Sequence, residues 1–106
     1  MFFKTTEQHE DFRARIREFA ESEVKPQAFL LDKENRFPTE AIEKLGKMGV
    51  LGTPYPKEYG GAGLDVLSYA IAGEELSRVD GGTGVILSAH VSLGTYPIFE
   101  YGTEEQ

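Results

Sequence analysis

The chain of 106 residues carries 11 basic and 18 acidic side chains, which gives a formal net charge of −7, and it contains no cysteine. Nucleic-acid affinity comes mainly from clustered Lys and Arg, so this scattered and outnumbered basic set argues against a nucleic-acid partner. Without cysteine, disulfides and thiolate metal sites are excluded within these residues. A chain of this length is expected to form one domain with its own hydrophobic core.

The first predicted element is an amphipathic helix. Thr5 and Thr6, with Gln8 three positions after Thr5, are typical of a capped helix start. Apolar side chains then recur at spacings of three and four, at Phe12, Ile16, Phe19, Ala20 and Val24. Pro26 lacks an amide hydrogen and clashes with the preceding turn, so it predicts a kink beyond which the helix continues.

The middle of the chain predicts a short helix, an extended segment and a glycine-rich loop. Pro38 suits the first helical position, and Gly49 suits the left-handed residue after the helix end. The stretch from Val50 to Pro56 is expected to be extended because it contains two prolines. The loop PKEYGGAGLD that follows matches neither a dinucleotide fingerprint nor a P-loop, so a structural loop is the favoured interpretation.

The second half predicts two antiparallel helices. Asp65 is a good N-cap for a helix that ends near Asp80. Gly81 and Gly82 then form a tight turn into a further helix from about Thr83 to Leu93, and so short a connection makes the two helices antiparallel neighbours.

The run from Gly81 to Phe99 contains no Asp, Glu, Lys or Arg. Its glycines, hydroxyl side chains and Pro97 make it too polar and interrupted for a membrane span, so a buried central helix broken by Gly94 and Pro97 is expected. No membrane association is expected. The N-terminal MFFKTTEQHEDF lacks the regions of a signal peptide, so a cytoplasmic location is expected.

No catalytic or metal constellation emerges from these patterns. His90 has no carboxylate at helical spacing, so a packed histidine is favoured over a catalytic or ligating one, and His9 is expected on an exposed first turn. Adjacent Glu74 and Glu75 face different ways on a helix, and Glu75 with Arg78 predicts an ordinary surface pair. Residue patterns alone therefore predict an acidic all-α domain and leave its function open.

Five segments in order and spacing resemble the N-terminal helical domain of the acyl-CoA dehydrogenase family. They are the TEQ start leading to Phe12, FPTEAIEKLGKMGVLG, PKEYGGAGLD, YAIAGEELSRVD and TGVILSAHVSLGTYPIFEYGTEEQ. The last two look most like the short-chain, butyryl-type branch. The resemblance implies an all-α, up-and-down bundle of about four to six helices over residues 1–106, without the family's middle β-domain and C-terminal helical domain.

The resemblance also implies a chemistry for the parent protein, which would be an oxidoreductase of fatty acid metabolism. Such flavoproteins remove an α-proton and a β-hydride from an acyl-CoA, pass electrons through FAD to an electron-transferring flavoprotein, and usually form tetramers. The family's catalytic glutamate and nearly all its flavin contacts lie outside the matching segments. This chain alone is therefore expected to be inactive and to lack catalytic and cofactor-binding residues, although it could form a dimer.

The resemblance assigns one substrate-binding face, formed by Ile86, Ala89, His90 and Leu93, which would end the acyl-chain pocket. Two alternatives stay open: a stand-alone helical binding or assembly module, and the N-terminal domain of a related oxidase or flavin monooxygenase. Thr103 to Gln106 match a capping box, which normally precedes a helix, so the chain is expected to be the N-terminal part of a longer protein.

Overall fold

The computed structural model describes residues 4–106; the start of the stretch considered for a signal peptide, residues 1–3, lies outside the described residues. The α-helices are α1 (Glu7–Phe19), α2 (Lys25–Lys33), α3 (Thr39–Lys47), α4 (Val66–Val79), α5 (Gly81–Ala89) and α6 (Tyr96–Tyr101). Two π-helical turns cover Ala20–Val24 and His90–Thr95, and two 3₁₀ turns cover Val50–Gly52 and Lys57–Tyr59. No strand occurs among residues 4–106, and the predicted all-α bundle is confirmed.

Helix α1 begins with a capping box, one residue later than the sequence suggested. Thr6 is the N-cap, and its hydroxyl accepts a hydrogen bond from the backbone N–H of His9 at 3.2 Å. The His9 ring accepts in return from the Thr6 N–H at 3.0 Å. The pairing of Thr5 with Gln8 was wrong because a histidine nitrogen can take the place of the usual Glu or Gln oxygen.

Each π-helical turn ends two residues before a proline. The first turn ends at Val24 before Pro26, and the second ends at Thr95 before Pro97. A proline ring clashes with the carbonyl four residues earlier, and one wider turn moves that carbonyl aside. The chain therefore stays helical through both prolines. The predicted continuation of the helix beyond Pro26 is confirmed, whereas the predicted break at Gly94 and Pro97 was wrong.

Helices α4 and α5 meet at a residue that serves both. Asp80 ends α4 and is the N-cap of α5, where its carboxylate accepts from the Thr83 N–H at 3.1 Å. Helix α5 therefore starts at Gly81, earlier than the predicted Thr83. A Cβ atom at Gly84 would collide with Ser77 on α4, so the glycine permits the close antiparallel approach of the two helices.

The core lies where α1, α4 and α5 pack together over the first π-helical turn and α3. Its most deeply buried apolar side chains are Ile16, Ala20, Leu45, Ile71, Ala72, Leu76 and Leu87. The stretch from Val50 to Pro56 was predicted to be extended, but it begins with the 3₁₀ turn Val50–Gly52. Gly49 immediately precedes that turn, and its φ of 80° confirms its predicted left-handed conformation.

The uncharged run from Gly81 to Phe99 is only partly buried, which corrects the expectation of a shielded central helix. Thr83, Gly84, Leu87 and Val91 point into the core, whereas Val85, Leu93, Tyr96, Ile98 and Phe99 are exposed. None of the helices between residues 4 and 106 combines the length and the apolar character that crossing a bilayer requires.

Candidate functional site

The four residues predicted to bind substrate lie on α5 and on the π-helical turn that follows it. Ile86 and Ala89 are half-buried, while His90 is exposed and Leu93 is 78% exposed. The π-helical turn begins at His90, so the regular helical spacing that placed Leu93 beneath Ala89 ends there. The prediction that His90 is a packed side chain was wrong.

A cleft of about 720 Å³ lies between the glycine-rich loop and α6. Of the four predicted residues, His90 lines it. Aromatic rings form one wall: the Tyr55 and Phe99 ring centroids are 5.3 Å apart, and those of Tyr59 and Phe99 are 6.1 Å apart. The Tyr59 hydroxyl donates to the Glu104 carboxylate at 2.9 Å, which joins the loop to the segment after α6.

This cleft does not suit the diphosphate of FAD. Its lining includes Glu104 and Glu105 but neither Lys nor Arg. A diphosphate requires cationic side chains or an open helix N-terminus, and two carboxylates would repel it. Within residues 4–106, no group of three or more His, Asp or Glu side chains is placed to hold a metal ion.

Side-chain hydroxyl groups support the π-helical turn His90–Thr95. The Thr95 hydroxyl donates to the His90 carbonyl at 2.9 Å, and the Ser92 hydroxyl donates to the Ser88 carbonyl at 2.6 Å. Tyr55 lies between the two 3₁₀ turns, and its hydroxyl donates to the Val91 carbonyl. Sequence reasoning missed this turn, and Pro97 inside a continuous apolar run was the signal that could have predicted it.

A buried carboxylate joins α1 to α4. The Glu75 side chain is 1% exposed, and its oxygens accept from Arg13 at 2.8 Å and from Arg17 at 2.8 and 3.1 Å. Hydrogen bonds from Arg17, and then from Arg13, lower the pKa of Glu75 to about 2 although burial opposes the shift. The prediction of a surface pair between Glu75 and Arg78 was therefore wrong, because Glu75 is buried. The Arg78 contact exists, at 3.4 Å, but it is one of several arginine contacts to this carboxylate.

His9 joins the N-termini of α1 and α4, which sequence reasoning also missed. Its Nδ1 accepts from the Thr6 N–H, so its Nε2 carries the proton and donates to the Asp65 carboxylate at 2.7 Å. The same carboxylate accepts from the Ser68 N–H at 2.8 Å. The His9 hydrogen bond, followed by those from Ser68, lowers the pKa of Asp65 to about 2. His9 is buried, contrary to the expectation of an exposed first turn.

These two contacts show the direction of the helices. His9 pairs with Asp65, and Arg17 pairs with Glu75, so α1 and α4 run parallel. Tyr69 contacts Ser88, and Ser77 packs on Gly84, so α5 runs back along α4. Helix α5, which carries Ile86 and Ala89, therefore packs against α4, and α4 packs against α1 in turn.

Comparison with known proteins identifies this arrangement. A family model described as "Acyl-CoA dehydrogenase, N-terminal domain" matches residues 6–106. The chain belongs to this family. It is 58% identical over all of its 106 residues to the short-chain specific acyl-CoA dehydrogenase of Clostridium acetobutylicum.

Two solved structures share the fold closely. Butyryl-CoA dehydrogenase from Megasphaera elsdenii matches 99% of this chain with a TM-score of 0.90 and 37% identity. A structure titled as the electron transferring flavoprotein of Acidaminococcus fermentans matches 99% with a TM-score of 0.93 and 48% identity. The chain spans 28% of the length of each of these three proteins.

Proposed function

We propose that this chain is the N-terminal domain of an FAD-dependent acyl-CoA dehydrogenase that acts on short-chain acyl-CoA thioesters. The observation that carries the proposal is the family match over residues 6–106, together with 58% identity to a short-chain specific relative. When bound elsewhere in such a protein, FAD supplies the acceptor for the β-hydride. The chain itself contributes part of the acyl pocket and surfaces for packing against other domains.

The acyl-facing role is assigned to the flank formed by Ile86, Ala89, His90 and Leu93. Three of these side chains are apolar, and each buried methylene of an acyl tail contributes about 0.8 kcal/mol. Ile86 and Ala89 are half-buried against their own helix bundle, which fixes their positions. Leu93 is free to pack against a ligand or another domain because most of its surface is exposed. Larger side chains on this flank would shorten the pocket.

The partners follow from the same proposal. An electron-transferring flavoprotein is the proposed electron acceptor, and a homo-oligomer, a tetramer in the family pattern, is the proposed assembly. Exposed apolar side chains on α6, among them Tyr96, Ile98 and Phe99, would be covered by other domains or subunits. Involvement in fatty acid metabolism and a cytoplasmic location stay predictions.

Acyl-CoA turnover by the longer protein that carries this chain tests the proposal. We expect dehydrogenation of acyl-CoA thioesters with an artificial electron acceptor, with the highest kcat/KM for butyryl-CoA among even chain lengths. The 106-residue chain alone should bind no flavin and show no turnover. Absence of acyl-CoA oxidation by the flavin-loaded longer protein would contradict the proposal, and stoichiometric flavin on the chain alone would contradict the placement of the cofactor elsewhere.

A further inference from the structure

Tyr55 connects the glycine-rich loop region to the helix that carries the proposed acyl-facing flank. Its side chain is 7% exposed, and its hydroxyl donates to the carbonyl of Val91 inside the π-helical turn His90–Thr95. That carbonyl also accepts the N–H of Tyr96, five residues later, which is the hydrogen bond that defines a π-helical turn. Tyr55 therefore contacts the atom on which the register of this turn depends.

The Tyr55 side chain is itself held rigidly. Its backbone N–H donates to the Gly52 carbonyl at 3.1 Å, and its carbonyl accepts from the Gly63 N–H at 2.8 Å. Gly61 packs directly on the Tyr55 carbonyl, where any Cβ atom would collide. The Tyr55 ring also packs against Phe99. These contacts fix the hydroxyl in space, so it can impose a position on the helix that it meets.

The hydroxyl acts as a donor over the physiological range. Burial raises the pKa of Tyr55, which keeps the proton on the oxygen. An α-helical alternative would pair the Val91 carbonyl with the Thr95 N–H and would rotate the following residues relative to α5. The extra donor from Tyr55 favours the observed π-helical arrangement because one carbonyl oxygen can accept two hydrogen bonds.

We propose that Tyr55 is a positioning residue that holds the register of the π-helical turn and thereby sets the direction in which His90 and Leu93 face the acyl chain. This inference rests on the proposed function, since it makes Tyr55 a determinant of acyl-chain length without contact with the acyl chain. Thr95, whose hydroxyl donates to the His90 carbonyl, supports the same turn from within.

Tyr55→Phe tests the proposal, because it removes the hydroxyl and keeps the ring on Phe99. Tyr101→Phe is the matched control, since Tyr101 is 82% exposed. In the longer protein we expect the ratio of kcat/KM for butyryl-CoA to that for octanoyl-CoA to change about fivefold in Tyr55→Phe, the effect of one hydrogen bond. Thr95→Val should shift the ratio in the same direction, and Tyr101→Phe should leave it unchanged.

Amide hydrogen exchange separates this inference from the proposed function. In the 106-residue chain or the longer protein, the Tyr96 amide should exchange about fivefold faster in Tyr55→Phe than in Tyr101→Phe. An unchanged Tyr96 rate would overturn the positioning role even if acyl-CoA turnover is normal. Faster exchange with an unchanged chain-length ratio would overturn the specificity role alone. If the wild type oxidises no acyl-CoA, the specificity role fails with the proposed function, and exchange still decides the positioning role.

Discussion

Glu75 on α4 accepts hydrogen bonds from Arg17 on α1 through both carboxylate oxygens, at 2.8 and 3.1 Å. Arg13 adds a third hydrogen bond at 2.8 Å. One buried carboxylate therefore joins two helices, although Arg17 and Glu75 are 58 residues apart in the chain. Arg13 also contacts the exposed Glu74 at 3.1 Å. Glu74 and Glu75 thus both contact the guanidinium of Arg13, but the Glu74 side chain is exposed and the Glu75 side chain is buried.

This difference in burial predicts different costs of substitution. Glu75→Gln keeps the side-chain volume but removes the charge that three hydrogen bonds from arginines stabilise, so we expect a loss of about 1–3 kcal/mol in the free energy of unfolding. Glu74→Gln should change it by less than about 0.5 kcal/mol. Urea denaturation of the two variants measures both. Equal effects would contradict the assignment of Glu75 as the buried partner.

The two lowered pKa values predict how stability depends on acid. Asp65 and Glu75 have folded-state pKa values of about 2, against ordinary values of 3.8 and 4.5. At pH values between the folded and the ordinary pKa, the unfolded chain binds more protons than the folded chain. The contribution of both carboxylates to the free energy of unfolding is therefore complete above about pH 5 and is lost as the pH falls toward 2. The unfolding free energy contributed by these two groups should be level from pH 6 to about pH 5 and should fall from there to pH 2.5. The fall should be shallower in Glu75→Gln, and an identical slope would contradict the lowered pKa of Glu75.

The contact between His9 and Asp65 predicts a coupling between two helix starts. His9→Ala removes the 2.7 Å hydrogen bond and one half of the capping box of α1, so we expect a loss of about 1–2 kcal/mol. Gln8→Ala, at the exposed neighbouring position, should be nearly neutral. In a double-mutant cycle, His9→Ala and Asp65→Ala should be coupled by about 1 kcal/mol. Strict additivity would show that the pair makes no net contribution.

Two helical glycines should respond in opposite ways to alanine. A methyl group added at Gly73 on α4 would meet nothing within 4 Å, so Gly73→Ala should stabilise the fold by about 0.5–1 kcal/mol through helix propensity. At Gly84 a methyl group would collide with Ser77, so Gly84→Ala should destabilise it by about 1–3 kcal/mol. Thermal unfolding checks both signs. Stabilisation by Gly84→Ala would mean that α4 and α5 are less closely packed than the structure shows.

The sequence predicted most helices correctly because their signals are local. Asp65 as an N-cap and Gly49 as a left-handed helix end need only neighbouring residues, and both were confirmed. The break at Pro97 was wrong because local rules treat a proline as a helix end, whereas the wider turn before it absorbs the clash.

The tertiary contacts could not be predicted from spacing. His9 and Asp65 are 56 residues apart, and Arg17 and Glu75 are 58 apart, so no helical periodicity relates them. The exposure of His90 and burial of His9 depend on which helices cover each residue, and a single sequence does not contain that information. The substrate-binding assignment of Ile86, Ala89, His90 and Leu93 came from family resemblance and stays a prediction.

In the proposed function, the flank formed by Ile86, Ala89, His90 and Leu93 limits the length of the acyl pocket. The most direct test compares kcat/KM for octanoyl-CoA and butyryl-CoA in the longer protein that carries Ile86→Ala, with Val85→Ala on an exposed side of α5 as the control. We predict that Ile86→Ala raises the octanoyl-to-butyryl ratio by about tenfold, because the smaller side chain lengthens the pocket, while Val85→Ala leaves it within about twofold. An unchanged ratio in Ile86→Ala, or an equal change in both variants, would show that Ile86 does not limit the acyl pocket.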